Sequence, residues 1–319
     1  MSTFTWPSLP KTEADFEGLM HAIDEALAAK GVKPFQRPFH TAPKLWEAFK
    51  WEGAAFPDKR LADLSGYDGD VLMAKAYRWY EQTYGDKLKS DFAYGFAPAR
   101  LGNALWRVRA SVTYGTVRLF VDKNLQNRGK TFAGGRNPGP ATYNLLCAVE
   151  GLPQGLVDRL PEAALHEHAE FHLLMHESLQ WRHSLPDTEL LGMAHHDYDE
   201  CTSAVLGGRY GQARWAAEQA IEKTLKGLLT IGKTDFAKGG KNGHNLEHAA
   251  QLLKDRHGVV LSSAVLALAE CSPAVRYGEV VSTEAQALAA NHAVLGVLDE
   301  LRRSSSAAAL IATYKVPSK

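Results

Sequence analysis

Three imidazoles stand at helical spacing in the middle of the chain. His168, His172 and His176 recur at i, i+4 and i+8, with His166 beside them and Glu170 between. One helix face would carry a stripe of nitrogen donors, and two such groups can hold Zn²⁺ if a third ligand arrives. The order at the centre is His-x-Glu-x-His, not the His-Glu-x-x-His in which the glutamate serves as base, so a solvated or interfacial helix face competes with a metal site. His195 and Asp199 share a second helix face, where the acids that follow a helix start explain themselves electrostatically. No Ser-His-Asp, paired-carboxylate or Gly-x-Gly-x-x-Gly pattern stands above background, and no cofactor is expected.

The second chemical lead is charge. The chain carries 36 basic and 36 acidic side chains over 319 residues, so its net charge gives no global pull towards nucleic acid. The charge is nevertheless blocked. Between Pro98 and Arg136, eight basic residues face only Asp122, whereas between Glu150 and Glu200 eleven acids face Arg159 and Arg182. Arg107, Arg109, Arg118, Arg128, Lys130 and Arg136 are therefore candidate phosphate contacts, because such arrays bind a nucleic-acid backbone through charge and counterion release. The alternative is that these arginines form the solvated face of a half-buried sheet, or pair with the acidic block. Gly129-Lys130-Thr131 has the end of a phosphate loop, but Asn124 stands where its first glycine belongs.

The elements that must position these residues divide into two kinds. Trp106, Val108, Ala110 and Val112 alternate with Arg107, Arg109, Ser111 and Thr113. After Tyr114-Gly115, Val117, Leu119 and Val121 alternate again, which predicts a β-hairpin with one buried face. The first 60 residues are punctuated by six prolines and read as irregular around one helix near 13–30, followed by a second near 70–84. The segment 124–142 is rich in Gly, Asn and Pro and reads as a loop. Beyond residue 188 the pattern is helical. A helix stops at Gly207-Gly208, a second carries an apolar stripe and the Glu222–Lys226 pair, a third ends at Gly258, and a last one opens on a Thr283/Gln286 capping box. The expected product is an α+β protein, mainly α: an N-terminal α+β domain over 1–150, a helical connector over 151–187, an antiparallel helical bundle over 188–305 and a tail over 306–319.

The helical segment carries Tyr210-x-x-Ala213-x-x-x-Ala217-Glu218-Gln219-Ala220-x-Glu222-Lys223-x-Leu225-Lys226-x-Leu228-Leu229. A glycine loop, His244-Asn245-Leu246 and Arg276-Tyr277 follow ahead of the final helix. In this order and spacing the segment resembles a HEPN domain. The resemblance implies a bundle that dimerises, with roles in RNA cleavage, nucleotide binding or partnership with a nucleotidyltransferase-like protein in toxin–antitoxin or phage-defence settings. RNA-cutting members carry Arg-x4–6-His near the last helix. Here Arg276 has no histidine within that reach, which implies a non-catalytic, homodimerising module that binds nucleic acid, nucleotide or a partner protein. The alternative is an endoribonuclease with a rearranged site drawn from His244, Arg276 and Tyr277.

Cys147, Cys201 and Cys271 are isolated thiols, as expected in a reducing compartment. With no basic leader followed by an apolar run, and no apolar stretch of membrane-spanning length, the sequence leads us to expect a cytoplasmic protein with no membrane partner.

Overall fold

The computed structural model describes residues 5–51, 57–88, 92–113, 115–130, 140–237, 244–276 and 278–314. The chain divides into two compact units, Met1–Asp91 and Phe92–Lys319. The division therefore falls well before residue 150, and the strands belong with the helices that follow them.

The first unit is helical. α1 (Glu13–Ala28) opens on a capping box in which the Thr12 side chain accepts from the Asp15 backbone N–H and Asp15 accepts from the Thr12 N–H. α2 (Arg37–Phe49) lies where the prolines suggested irregular chain. Pro38 sits in its first turn, where a missing N–H costs nothing, and only Pro43 forfeits an internal hydrogen bond. α3 (Gly69–Tyr84) completes the set. Phe16, Leu19, Ile23, Leu45, Leu72 and Tyr80 form the shared core. Within it the Tyr80 and Thr41 hydroxyls bond each other at 2.9 Å.

The second unit begins with β1 (Ala93–Leu101) and β2 (Ala104–Ser111), an antiparallel pair joined by a two-residue turn at Gly102-Asn103. Gly102 sits at φ 61°, the left-handed region that such tight turns require. The expected hairpin across Tyr114-Gly115 does not form. β3 (Val117–Phe120) pairs instead in parallel with β4 (Ala141–Asn144), at the end of the segment read as loop. The true partner of β2 was hard to see, because β1 contains Gly95, Pro98 and the small Ala97 and Ala99. Alternation within β2 holds: Val108 and Ala110 are buried, whereas Arg107 is exposed.

The helices follow: α4 (Gln154–Val157), α5 (Glu162–His183), α6 (Glu189–Leu206), α7 (Tyr210–Ile231), α8 (Leu246–His257), α9 (Ser263–Ala269), α10 (Pro273–Arg276), α11 (Glu284–Arg303) and α12 (Ser305–Ala312). α5 is no connector. Its Leu165, Met175 and Leu179 share one core with Ala97 and Val108 of the strands and with α6, α7 and α11. The expected C-terminal tail likewise begins as α12, with the Ser304 side chain accepting from the Ala307 N–H. No helix among the described residues is long and apolar enough to cross a membrane.

α7 is the axis of this unit, with Ala213, Ala217, Ile221, Leu225 and Leu228 fully buried. α6 runs antiparallel to it, since Asp197 pairs with Lys223 and the start of α6 meets the end of α7. The approach is closest at Gly227, where an added Cβ would lie 2.8 Å from Leu191 Cδ2. Gly227→Val should therefore overpack this crossing and cost about 1–3 kcal/mol. A urea midpoint equal to that of the parent would contradict so tight a contact.

Candidate active site

α7 also presents a polar stripe away from its apolar one. Glu218 and Glu222 stand four residues apart on it, so a helix rise of about 6 Å sets two carboxylates on one face, close enough for the charge of one to act on the other. This is a paired carboxylate that the sequence was not expected to supply. Both residues are buried. The two carboxyls nevertheless live in different surroundings. Glu222 accepts from Lys226 Nζ at 2.6 Å, from Gln219 Nε2 at 3.2 Å and from the His244 imidazole at 3.1 Å. Three donors satisfy its charge. Glu218 receives the backbone N–H of Cys271 at 3.3 Å. Burial, reinforced by the negative charges of Glu222 and Glu270, pushes the Glu218 carboxyl up to about 7, against the lowering effect of the Cys271 N–H.

His244 comes to this pair from the residue ahead of Asn245, which caps α8 by accepting the His248 N–H at 2.8 Å. Its Nδ1–H donates to Glu222 Oε2, while 63% of its side chain remains open to solvent. A carboxylate on Nδ1 fixes the tautomer and leaves Nε2 with a lone pair for proton exchange. His244, Glu218, Trp215 and Cys271 line one cavity of about 410 Å³, which Asn245 and Pro273 help to close. Burial raises the Cys271 thiol, so sulfur there is a neutral wall and not a nucleophile. The arrangement can take a proton at one place and give one at another, in the same cleft.

Of the residues suggested by the sequence, His244 is brought against Glu222 and into one cavity with Glu218. Arg276 ends α10, the helix whose first residue Pro273 lines this cavity; the Arg276 side chain, Tyr277 and the glycine loop 238–243 lie outside the described residues. The imidazole stripe takes another course. His168 and His172 are 3% and 2% exposed, and the three rings follow one another at 6.1 and 6.4 Å. His176 Nε2 lies 3.0 Å from the Ser111 carbonyl. Among the described residues no three His, Cys, Asp or Glu side chains gather as metal ligands would. Asp199 takes a hydrogen bond from Arg182 Nη1 at 3.2 Å, and its charge acts on His195 against the stronger effects of burial and Arg182.

The basic block is partly consumed inside the unit. Arg107 pairs with Glu150 at 3.2 Å and covers the Phe96 ring at 3.5 Å, and Arg109 lies 5.7 Å from the same ring. Lys123 reaches Glu162 at 3.6 Å. Arg118 stands on β3, outside the sheet that carries Arg107 and Arg109, and is exposed, as are Arg128 and Lys130. Arg136 lies outside the described residues. These cations do not share one face of one hairpin, because that hairpin is absent.

Glu218, Glu222, Trp215 and Cys271 were not among the site residues expected from the sequence. The signal that could have found the carboxylates is Glu-x-x-x-Glu followed by Lys at the next i+4 step, on a helix otherwise lined with alanine and leucine. Comparison of the chain with family models, with curated proteins and with solved structures finds no match.

Proposed function

We propose that this chain is an endoribonuclease whose acid and base are Glu218 and His244. The observation that carries the reading is an exposed imidazole oriented by a buried carboxylate, beside a second carboxyl that burial holds near 7. In this reaction the ribose 2′-hydroxyl attacks the adjacent phosphorus. His244 Nε2 takes the hydroxyl proton as the new P–O2′ bond forms. The P–O5′ bond breaks, and protonated Glu218 delivers its proton to the departing O5′. The products are a 2′,3′-cyclic phosphate and a free 5′-hydroxyl, and atoms, charge and protons balance with no further reactant.

The non-catalytic reading expected from the sequence rested on the missing Arg-x4–6-His spacing. What favours catalysis is that His244 draws its partner from α7 and not from the last helix, so that spacing is not the relevant one. Glu222 orients and does not transfer, because three donors already occupy its oxygens. The test is incubation of the purified chain with single-stranded RNA and with tRNA. Fragments ending in 2′,3′-cyclic phosphate are expected, and they should vanish in His244→Ala. Intact RNA at high enzyme concentration, or cutting that survives this substitution, would overturn the assignment.

A further inference from the structure

The polar stripe of α7 does not stop at Glu222. Trp215, Glu218, Glu222, Lys226 and Thr230 recur every three or four residues, which keeps them on one helix face. A second cavity of about 610 Å³ opens on the far side of Glu222, lined by Lys223, Lys226, Thr230, Lys233 and Phe236. Glu222 lines this second cavity, and the His244 ring bonded to it lines the first. The two Glu222 oxygens face opposite ways: Oε2 towards His244, and Oε1 towards Lys226 Nζ, which lies 5.6 Å from the centre of the Phe236 ring.

The segment bearing Lys233 and Phe236 is held in place. Lys233 adopts φ 53°, a left-handed conformation that a non-glycine residue keeps only when its surroundings enforce it. Here Thr234 N–H donates to the Leu229 carbonyl at 2.9 Å, and the Thr234 hydroxyl lies 2.8 Å from His257 Nε2. Gly232 lets the chain turn, since a Cβ there would lie 2.4 Å from the His257 ring. Such a fixed turn presents an aromatic face and an exposed ammonium beside the acid–base cleft.

We propose that the second cavity is a binding subsite for single-stranded RNA, with one unstacked base on Phe236 and the neighbouring phosphate on Lys233 and Lys226. This rests on the cleavage reading above for the nature of the strand. Its size suits a nucleotide unit, within the roughly 300–1,000 Å³ of small-molecule sites. The local charges are mixed. Lys223 is paired with Asp197 at 2.5 Å and Lys226 with Glu222, while Glu222 and Asp235 oppose the three ammonium groups on the lining. The lining is therefore close to neutral. A bare phosphate array would bind poorly there, whereas an aromatic ring with one exposed lysine suits a strand held by stacking and modest charge. Duplex RNA hides its bases and is excluded by the same logic.

The experiment uses the full chain carrying Glu218→Gln, so that RNA stays intact, and a short fluorescein-labelled oligoribonucleotide read by anisotropy. Single strand should bind more tightly than the same strand annealed to its complement. Adding Phe236→Ala should weaken binding about tenfold, and Phe236→Trp should restore it. Lys233→Ala should lower the slope of log affinity against log salt by about one. Equal binding with and without the Phe236 ring, or equal affinity for duplex, overturns the subsite. If Phe236-dependent binding holds but the parent never cuts RNA, the cleavage reading falls and the subsite stands. If the parent cuts in a His244-dependent way and Phe236→Ala binds unchanged, the subsite falls alone.

Discussion

Glu218→Gln is expected to reduce RNA cleavage about 10²–10⁴-fold, the usual contribution of a positioned acid or base. Glutamine keeps the side-chain length and can still accept the Cys271 N–H through its carbonyl oxygen, so the cavity wall is preserved. What it lacks is the proton. The pH profile separates this role from a structural one. Glu218 must be protonated to serve the leaving oxygen, and its carboxyl titrates at about 7, so the parent should lose activity as pH rises through that value. The residual activity of the glutamine variant should lack this alkaline limb. Stability should move the other way. A carboxyl whose folded value is raised from 4.5 to about 7 contributes stability that is present below 4.5 and is lost as pH climbs through 7. Near pH 8 the parent therefore carries a buried anion that the amide does not, and Glu218→Gln should melt higher there while cleaving far more slowly. An alkaline limb that persists in the variant would show that another group gives the proton.

The helical half of this arrangement was legible because α7, α8 and α11 each announce themselves locally. Alanine and leucine recur at helical spacing in α7, Gly258 stops α8 and Thr283 caps α11. The strands were legible only singly. The alternation of Trp106 to Val112 located β2, but its partner is disguised by Gly95 and Pro98, and pairing is a long-range choice that alternation cannot specify. α2 was hidden by its prolines, of which Pro38 starts it and Pro43 is borne inside it. The candidate site shows the same division. His244 drew notice through its place in a familiar order of motifs, whereas Glu222 read as half of an i,i+4 ion pair with Lys226. Both readings of Glu222 hold, one for each oxygen. That its second oxygen meets His244 depends on how α8 begins beside α7, and this packing leaves no mark in the local pattern. The imidazole stripe on α5 is the converse case. Its spacing was evident, yet i, i+4, i+8 describes a solvated face and a buried one equally. What decided its fate is the β1–β2 ribbon laid against α5, whose Ser111 carbonyl lies against His176.

Acid should therefore unfold the second unit earlier than its carboxylates alone would dictate. Burial, then the neighbouring His168 and His176 imidazoles, depress His172 to about 3. Burial, then the Arg182 charge, takes His195 to about 4. Burial also lowers His168, and His292, whose Nε2–H donates to the Pro98 carbonyl at 2.9 Å. The sign follows from linkage. These groups are neutral when folded, while the unfolded chain takes up protons at the ordinary 6.5, so their stability is complete above that value and drains away as pH falls towards 4 and 3. Each group can steepen the loss by up to about 1.4 kcal/mol per pH unit. His172→Phe keeps the ring, removes the titration and disposes of a buried Nδ1 that has no hydrogen-bond partner. Urea midpoints compared near neutrality and near pH 5 should show the variant gaining more at the acidic end, and parallel pH slopes for the two proteins would exclude His172 as a source of the loss. Because His168 and His172 lie on α5, which packs against β1 and β2, and His292 on α11 meets the Pro98 carbonyl of β1, the first structure to loosen on acidification should be the ribbon against these helices. Amide exchange of Val108 and Ala110, both fully buried, should then accelerate before that of Leu225 on α7.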